Sequence, residues 1–107
     1  MPGDNLFTPN TNGTVSITSG TVSARVALVI DGANAVRVKN VDASNIAYVS
    51  FGSATVTAIV PSGSVAGAVP IGAGETAGFS LGAGQTYASA ICTAGTPLVF
   101  FTPGNGL

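Results

Sequence analysis

Between Asn34 and Gly52 the sequence NAVRVKNVDASNIAYVSFG twice places apolar side chains at every second position, with a polar break between the two runs. A helix would scatter that pattern around its axis, whereas a strand collects it on one face. Val36 and Val38 alternate with Arg37 and Lys39, residues 42–45 interrupt, and Ala47, Val49 and Phe51 resume the alternation before Gly52. The pattern predicts a β-hairpin with one apolar face, and this hairpin is expected to organise the rest of the chain.

The remaining sequence repeats the same kind of signal. Val15 and Ile17 give one strand, and Val22, Ala24, Val26, Leu28 and Ile30 give another, with Ser19-Gly20 as the turn between them and Asp31-Gly32 as the turn after. After Gly52 a further strand is expected over 55–60, closed by the turn residues 61–64. The piece from Val65 to Ile71 contains Pro70, which cannot donate to a ladder, so it should be an edge strand or a crossing loop. IGAGETAGFS (71–80) and LGAGQTYASA (81–90) are alike at a spacing of ten residues, each a glycine turn leading into a strand. Two copies fall short of a solenoid, and they are expected as successive turns on one side of a sandwich. Tyr87–Cys92 and Leu98–Thr102 complete the strands.

Eight or nine short strands at turn spacings of about 8–12 residues, with no competing helical window, predict an all-β, two-sheet, jelly-roll-like sandwich with extended N- and C-terminal arms. A chain of 107 residues fits one domain. Its expected organisation is an arm over 1–13, the sandwich over 14–102 and a tail over 103–107. Within the arm, the pair Leu6-Phe7 is an apolar anchor that would either clip onto a neighbour or fold back on its own sheet.

Composition narrows the function more than it defines it. Charged residues are 7% of the chain, against about 25% in an ordinary soluble domain, and mean hydropathy is +0.54. A surface so poor in charge, with a net charge of −1, favours association into an oligomer or larger assembly. Arg25, Arg37 and Lys39 are the only basic residues, too few for a nucleic-acid partner. The most apolar run, 24–30, carries Arg25 and is far shorter than the ~20 residues of a membrane span. Residues 1–4 do not open a signal peptide, and one cysteine cannot form an internal disulfide, so synthesis in a reducing cytoplasm is expected.

No catalytic, metal-binding or cofactor-binding set emerges. The chain lacks His, and its four acids, Asp4, Asp31, Asp42 and Glu75, fall in expected turns or in the arm. A glycosidase-type carboxylate pair would require folding to bring two of them together. The glycines of 72–78 do not have the spacing or the following helix of a dinucleotide loop. The candidate partner or oligomer contacts are Leu6, Phe7, Arg37, Lys39, Ile46 and Tyr48. Arg37 and Lys39 share a face that would dock an acidic surface or simply be solvated. Tyr48, beside Ile46, points away from the Ala47, Val49 and Phe51 row, into a second buried layer or an exposed patch.

Val36-Arg37-Val38, the run Ala47 to Gly52, the turn and strand from Gly74-Glu75 to Phe79, and the ending Phe101 to Gly106 resemble small virion proteins of tailed bacteriophages, with Leu6 to Pro9 as a weaker echo. In size and inferred fold the likeness is greatest to capsid decoration, or cement, proteins. The resemblance implies a non-enzymatic structural role on the outer surface of the head. There the protein would bind as a dimer or trimer and staple neighbouring subunits of the major capsid protein after assembly in the host bacterial cytoplasm. The alternative is a phage tail or head-fibre module that recognises a host surface glycan, a role that favours exposed aromatics in a chain with no Trp and two Tyr.

Cys92 falls where the alternation calls for a small apolar residue, which makes it a buried, inert thiol. Cys92→Ala is expected to cost on the order of 1 kcal/mol and to leave assembly unchanged. A disulfide-linked dimer of the parent chain on non-reducing gels would contradict it.

Overall fold

The computed structural model describes residues 7–106. Among these residues nine strands form two antiparallel sheets packed face to face: β1 Thr8–Pro9, β2 Val15–Thr18, β3 Ala24–Ala27, β4 Ala35–Asn40, β5 Ala47–Gly52, β6 Val69–Ile71, β7 Thr76–Ser80, β8 Tyr87–Ile91 and β9 Leu98–Asn105. In the first sheet the order is β1-β9-β4-β7, with β2 also pairing to β9, and in the second it is β3-β8-β5-β6. From β2 onward every strand changes sheet except β5 to β6, and this interleaving is the jelly-roll arrangement.

Alternation fixes which side chains meet between the sheets. Val36 and Val38 of β4, Val49 of β5, Ile71 of β6, and Val99 and Phe101 of β9 are fully buried there, with Ala47, Ala88 and Ala90 filling the narrower gaps. Phe101 meets Phe51 edge to face with centroids 6.1 Å apart, and Phe51 lies 5.3 Å from Phe79. Three rings from three strands therefore bridge the layers, a geometry worth about 0.5–1.5 kcal/mol per pair beyond the area buried.

The predicted hairpin over 34–52 is not a hairpin. β4 and β5 face each other as expected, but across the core rather than through hydrogen bonds, and each pairs with strands distant in sequence. The polar break is an arch between sheets. Asn40, at the end of β4, turns its fully buried amide inward. Its Nδ2 donates to the carbonyls of Asn45 (2.9 Å) and Ile71 (3.0 Å), and its Oδ1 accepts from the N–H of Asp42 (3.0 Å). Asp42 in turn accepts from the N–H groups of Ser44 (3.1 Å) and Asn45 (2.8 Å), closing the arch as an Asx turn.

Other expectations shift for the same reason. The pieces over 14–30 become β2 and β3 in different sheets, and the strand expected through Ile30 stops at Ala27. Asp31-Gly32 does make a tight turn, with φ of 36° and 78° and a 2.6 Å bond from the N–H of Ala33 to the carbonyl of Ile30. Positive φ at both central positions marks it as type I′. The strand expected over 55–60 is irregular. The N–H of Ala58 reaches the Oγ of Ser23 (2.9 Å), beside β3, so residues 53–68 leave β5, pass toward β3 and return to β6 instead of joining a ladder. Pro70 sits in an edge strand, β6, as its missing N–H requires.

The two glycine turns are copies of one device. In each, the fourth residue's side chain accepts from the first glycine's N–H, Glu75 from Gly72 at 2.6 Å and Gln85 from Gly82 at 2.7 Å. Backbone bonds of 2.9 and 3.1 Å close the turns, and Gly74 and Gly84 take φ of 75° and 85°. They lie at the two ends of β7, not on one side of the sandwich, because each carries the chain from one sheet to the other.

At the N-terminus one of the two expected alternatives forms, and at the C-terminus the boundary shifts. Thr8 and Pro9 pair with Asn105 and Gly104, so this part of the arm folds back on its own sheet, and β9 continues to Asn105 through the expected tail. Pro103 is tolerated within β9 although it brings no N–H, and its carbonyl accepts from the N–H of Asn10 (2.9 Å). Leu6 lies outside the described residues.

Two predictions follow from the arch. Asn40→Ala leaves three backbone groups without their partner and is expected to cost on the order of 3 kcal/mol, read by chemical denaturation, and a cost near zero would remove the amide from the account. The second concerns Asp42, whose pKa is held below the ordinary 3.8, first by the Ser44 N–H and then by that of Asn45. A carboxylate with a depressed folded pKa contributes stability that is complete above the unfolded value and is lost as pH falls through the folded one. Thermal scans from pH 5 down to about 2 should show that part of the loss disappearing in Asp42→Asn, which keeps an acceptor without the titration. Identical acid profiles would contradict the linkage.

Candidate interaction surface on the outer face

The odd-numbered residues of β4 point away from the core, which places Arg37 and Lys39 on the outer face of the first sheet. The ladder then decides their neighbours. Arg37 stands between Thr102 of β9 and Gly78 of β7, and Lys39 between Phe100 and Thr76. Phe7 completes the group from outside the sheet, its ring 4.8 Å from the Arg37 guanidinium carbon. Such a cation–π contact contributes about 0.5–1 kcal/mol at an exposed site.

Local structure explains why Phe7 lies there. A Cβ on Gly104 would collide with the Thr8 carbonyl and come within 2.7 Å of Cζ of Phe7, so a glycine at this point of β9 lets the chain and the ring settle on the sheet. Asn10 secures the next turn, its Nδ2 donating to the carbonyls of Val29 (3.0 Å) and Ile30 (2.8 Å). The Oγ1 atoms of Thr14 and Thr102 are 2.9 Å apart and hydrogen-bonded.

Together Phe7, Pro9, Arg37, Lys39, Thr76, Phe100 and Thr102 line a shallow groove of about 270 Å³. Its chemistry is amphipathic. Two rings and a proline supply apolar surface, two threonines supply hydroxyls, and two of the chain's three basic residues supply positive charge. Lys39 donates to the Gly74 carbonyl (3.2 Å) and to Thr76 Oγ1 (3.5 Å), neutral acceptors that leave its charge uncompensated by these bonds.

Phe7, singled out in the arm, is thus brought together with Arg37 and Lys39, which the sequence already placed on one face. Ile46 and Tyr48 are not. Tyr48 is on β5 of the second sheet, opposite Pro70 and Ile91, and Ile46 precedes that strand with 45% of its surface exposed. Phe100 was the residue missed. The pair Phe100-Phe101 in a strand must send one ring inward and one outward, a signal present in the sequence but silent about which ring takes which side.

No family model and no curated protein matches this sequence. Among solved structures, the chain is similar to one from a structure of Bacillus endospore appendages, described as forming a novel family of disulfide-linked pili. The TM-score is 0.44 at 15% identity, covering 88% of this chain and 83% of that one. A likeness this loose carries no inference about role.

Three titratable side chains serve the structure itself. Asp42 closes the arch, Glu75 closes its turn, and the buried Cys92 donates its thiol to the Gly95 carbonyl at 3.4 Å. Among the described residues no group of three or more His, Cys, Asp or Glu is placed to hold a metal ion. What the outer face carries is two rings, two hydroxyls and two cations on the first sheet.

Proposed function

We propose that this chain is a structural virion protein, a capsid decoration or cement protein that binds the outside of a phage head and stabilises contacts between major capsid subunits. Its outer-face groove would serve as the attachment surface. The observation that supports this reading most is the convergence of Phe7, Phe100, Arg37 and Lys39 on the central strands of the first sheet. Aromatic rings and arginine are the residues that protein interfaces concentrate at their centres, and a sheet fixes the backbone beneath them, which reduces the ordering that binding requires. A surface with so few charges also suits permanent packing against a neighbour better than life as a free monomer.

The groove's threonine hydroxyls beside aromatic rings give some support to the second reading, a tail or head-fibre module for a host glycan. Glycan-array binding by the purified protein, abolished by Phe100→Ala, would favour it.

Attachment dominated by apolar burial should persist where exposed charges are screened. Heads lacking this protein are expected to retain the added wild-type chain from low to near-molar salt. Phe100→Ala, once shown to be folded by circular dichroism, should bind roughly tenfold or more weakly. Loss of the wild-type protein at moderate salt, or undiminished binding by Phe100→Ala, would overturn the proposed attachment.

A further inference from the structure

The sheets of this sandwich end in edges of very different character. β6 carries Pro70 in a three-residue strand. β3 presents the exposed Arg25, with residues 53–68 bonded to Ser23 just before it. On β9, β1 and β2 divide the edge into pieces of two and four residues. Proline, charge, shortness and cover are the devices that keep strand edges from pairing with other chains. β7, Thr76–Ser80, has no proline and no charge in its five residues, and among the described residues it pairs only with β4.

The hydrogen-bond phase of that edge follows from its two ends. The N–H of Leu81 bonds the carbonyl of Asn34 (2.9 Å), and the N–H of Asn40 bonds that of Glu75 (3.1 Å). In an antiparallel ladder hydrogen-bonded pairs alternate with non-bonded ones, so Ala77 and Phe79 direct their backbone groups to Val38 and Val36. Thr76, Gly78 and Ser80 direct their N–H and C=O groups away from the sheet, and all three residues are exposed. Gly78, in the middle, does not have a positive φ, so its backbone does not demand glycine. A glycine inside a strand weakens it and often marks the close approach of another backbone.

We propose that β7 pairs with β7 of a second copy of this chain, antiparallel about a two-fold axis at Gly78, joining two five-stranded sheets into one. The row is self-complementary in this register. Thr76 meets the partner copy's Ser80, Gly78 meets Gly78, and the three outward residues exchange all their backbone bonds. On the core side the small Ala77 meets the large, half-buried Phe79 in both directions, covering the flank of each ring that the edge leaves open. Shifting the register by two residues instead sets Phe79 against Phe79 or Ala77 against Ala77. No charge lies on the paired segments to oppose the contact. This inference goes beyond the proposed attachment and does not depend on it, since the pairing uses the backbone edge of β7 and the groove lies on the outer face of the sheet, with Thr76 the one residue common to both.

The test uses the purified chain without capsids. Sedimentation equilibrium at tens of micromolar should give twice the 10.3 kDa chain mass. Gly78→Lys, which sets like charges opposite each other at the axis, and Ser80→Pro, which removes an outward N–H that β4 does not use, should each give a folded monomer. In a Cys92→Ala background, Gly78→Cys should cross-link to a dimer on mild oxidation, because directly paired Cα atoms are about 5.5 Å apart. Thr76→Cys, facing Ser80 of the other copy, should cross-link far less. A monomeric wild-type chain, a trimer, a dimer that survives Gly78→Lys, or equal cross-linking at positions 76 and 78 would overturn the proposal.

Discussion

The three hydrogen bonds of the Asn40 amide hold this sandwich in register. The residue ends a strand of one sheet, yet its side chain binds the carbonyl of Ile71 in the other sheet and both ends of the arch that connects them. An apolar residue there would leave those backbone groups buried without partners, a cost that packing alone would not recover. With the amide in place, Val36 and Val38 are set opposite Val49, and the ring cluster of Phe51, Phe79 and Phe101 can form. The outer face depends on this indirectly, because the inward turn of Asn40 and the two valines sends Arg37 and Lys39 outward.

Around that clamp the chain solves the same problem repeatedly, passing from sheet to sheet without exposing buried backbone groups. It uses Asx chemistry at Asp42, a type I′ turn at Asp31-Gly32, and the twin glycine turns whose Glu75 and Gln85 side chains cap their own first N–H. These turns take up the carboxylates of Asp42 and Glu75. Arg37 and Lys39, by contrast, stand on the outer face of the first sheet, beside the rings of Phe7 and Phe100.

Much of the candidate site was legible in part. Arg37 and Lys39 were marked by alternation within an apolar strand, and Phe7 by its isolation in a polar arm, but their proximity was not, because Phe7 reaches Arg37 only through the pairing of Thr8 with Asn105 at the other end of the chain. Tyr48 carried the same kind of signal as Arg37 and went to the opposite side of the molecule. The strand expected over 55–60 shows the converse limit. Its alternation is real, and Ala58 is buried, yet the segment makes its bonds to Ser23 and within itself, outside any ladder.

The sequence by itself determined that this protein is all-β, where most of its strands lie, which side of each is apolar, and that Pro70 belongs at an edge or in a crossing loop. These properties are local, since side-chain period and turn chemistry act over a few residues. Only the tertiary structure decided which strands are neighbours. Backbone N–H and C=O groups are the same in every strand, so nothing along the chain distinguishes the hairpin expected between β4 and β5 from the arch that forms. The choice is made by packing two apolar faces against each other and by one buried amide, interactions that exist only once residues as distant as Val15 and Phe101 have met.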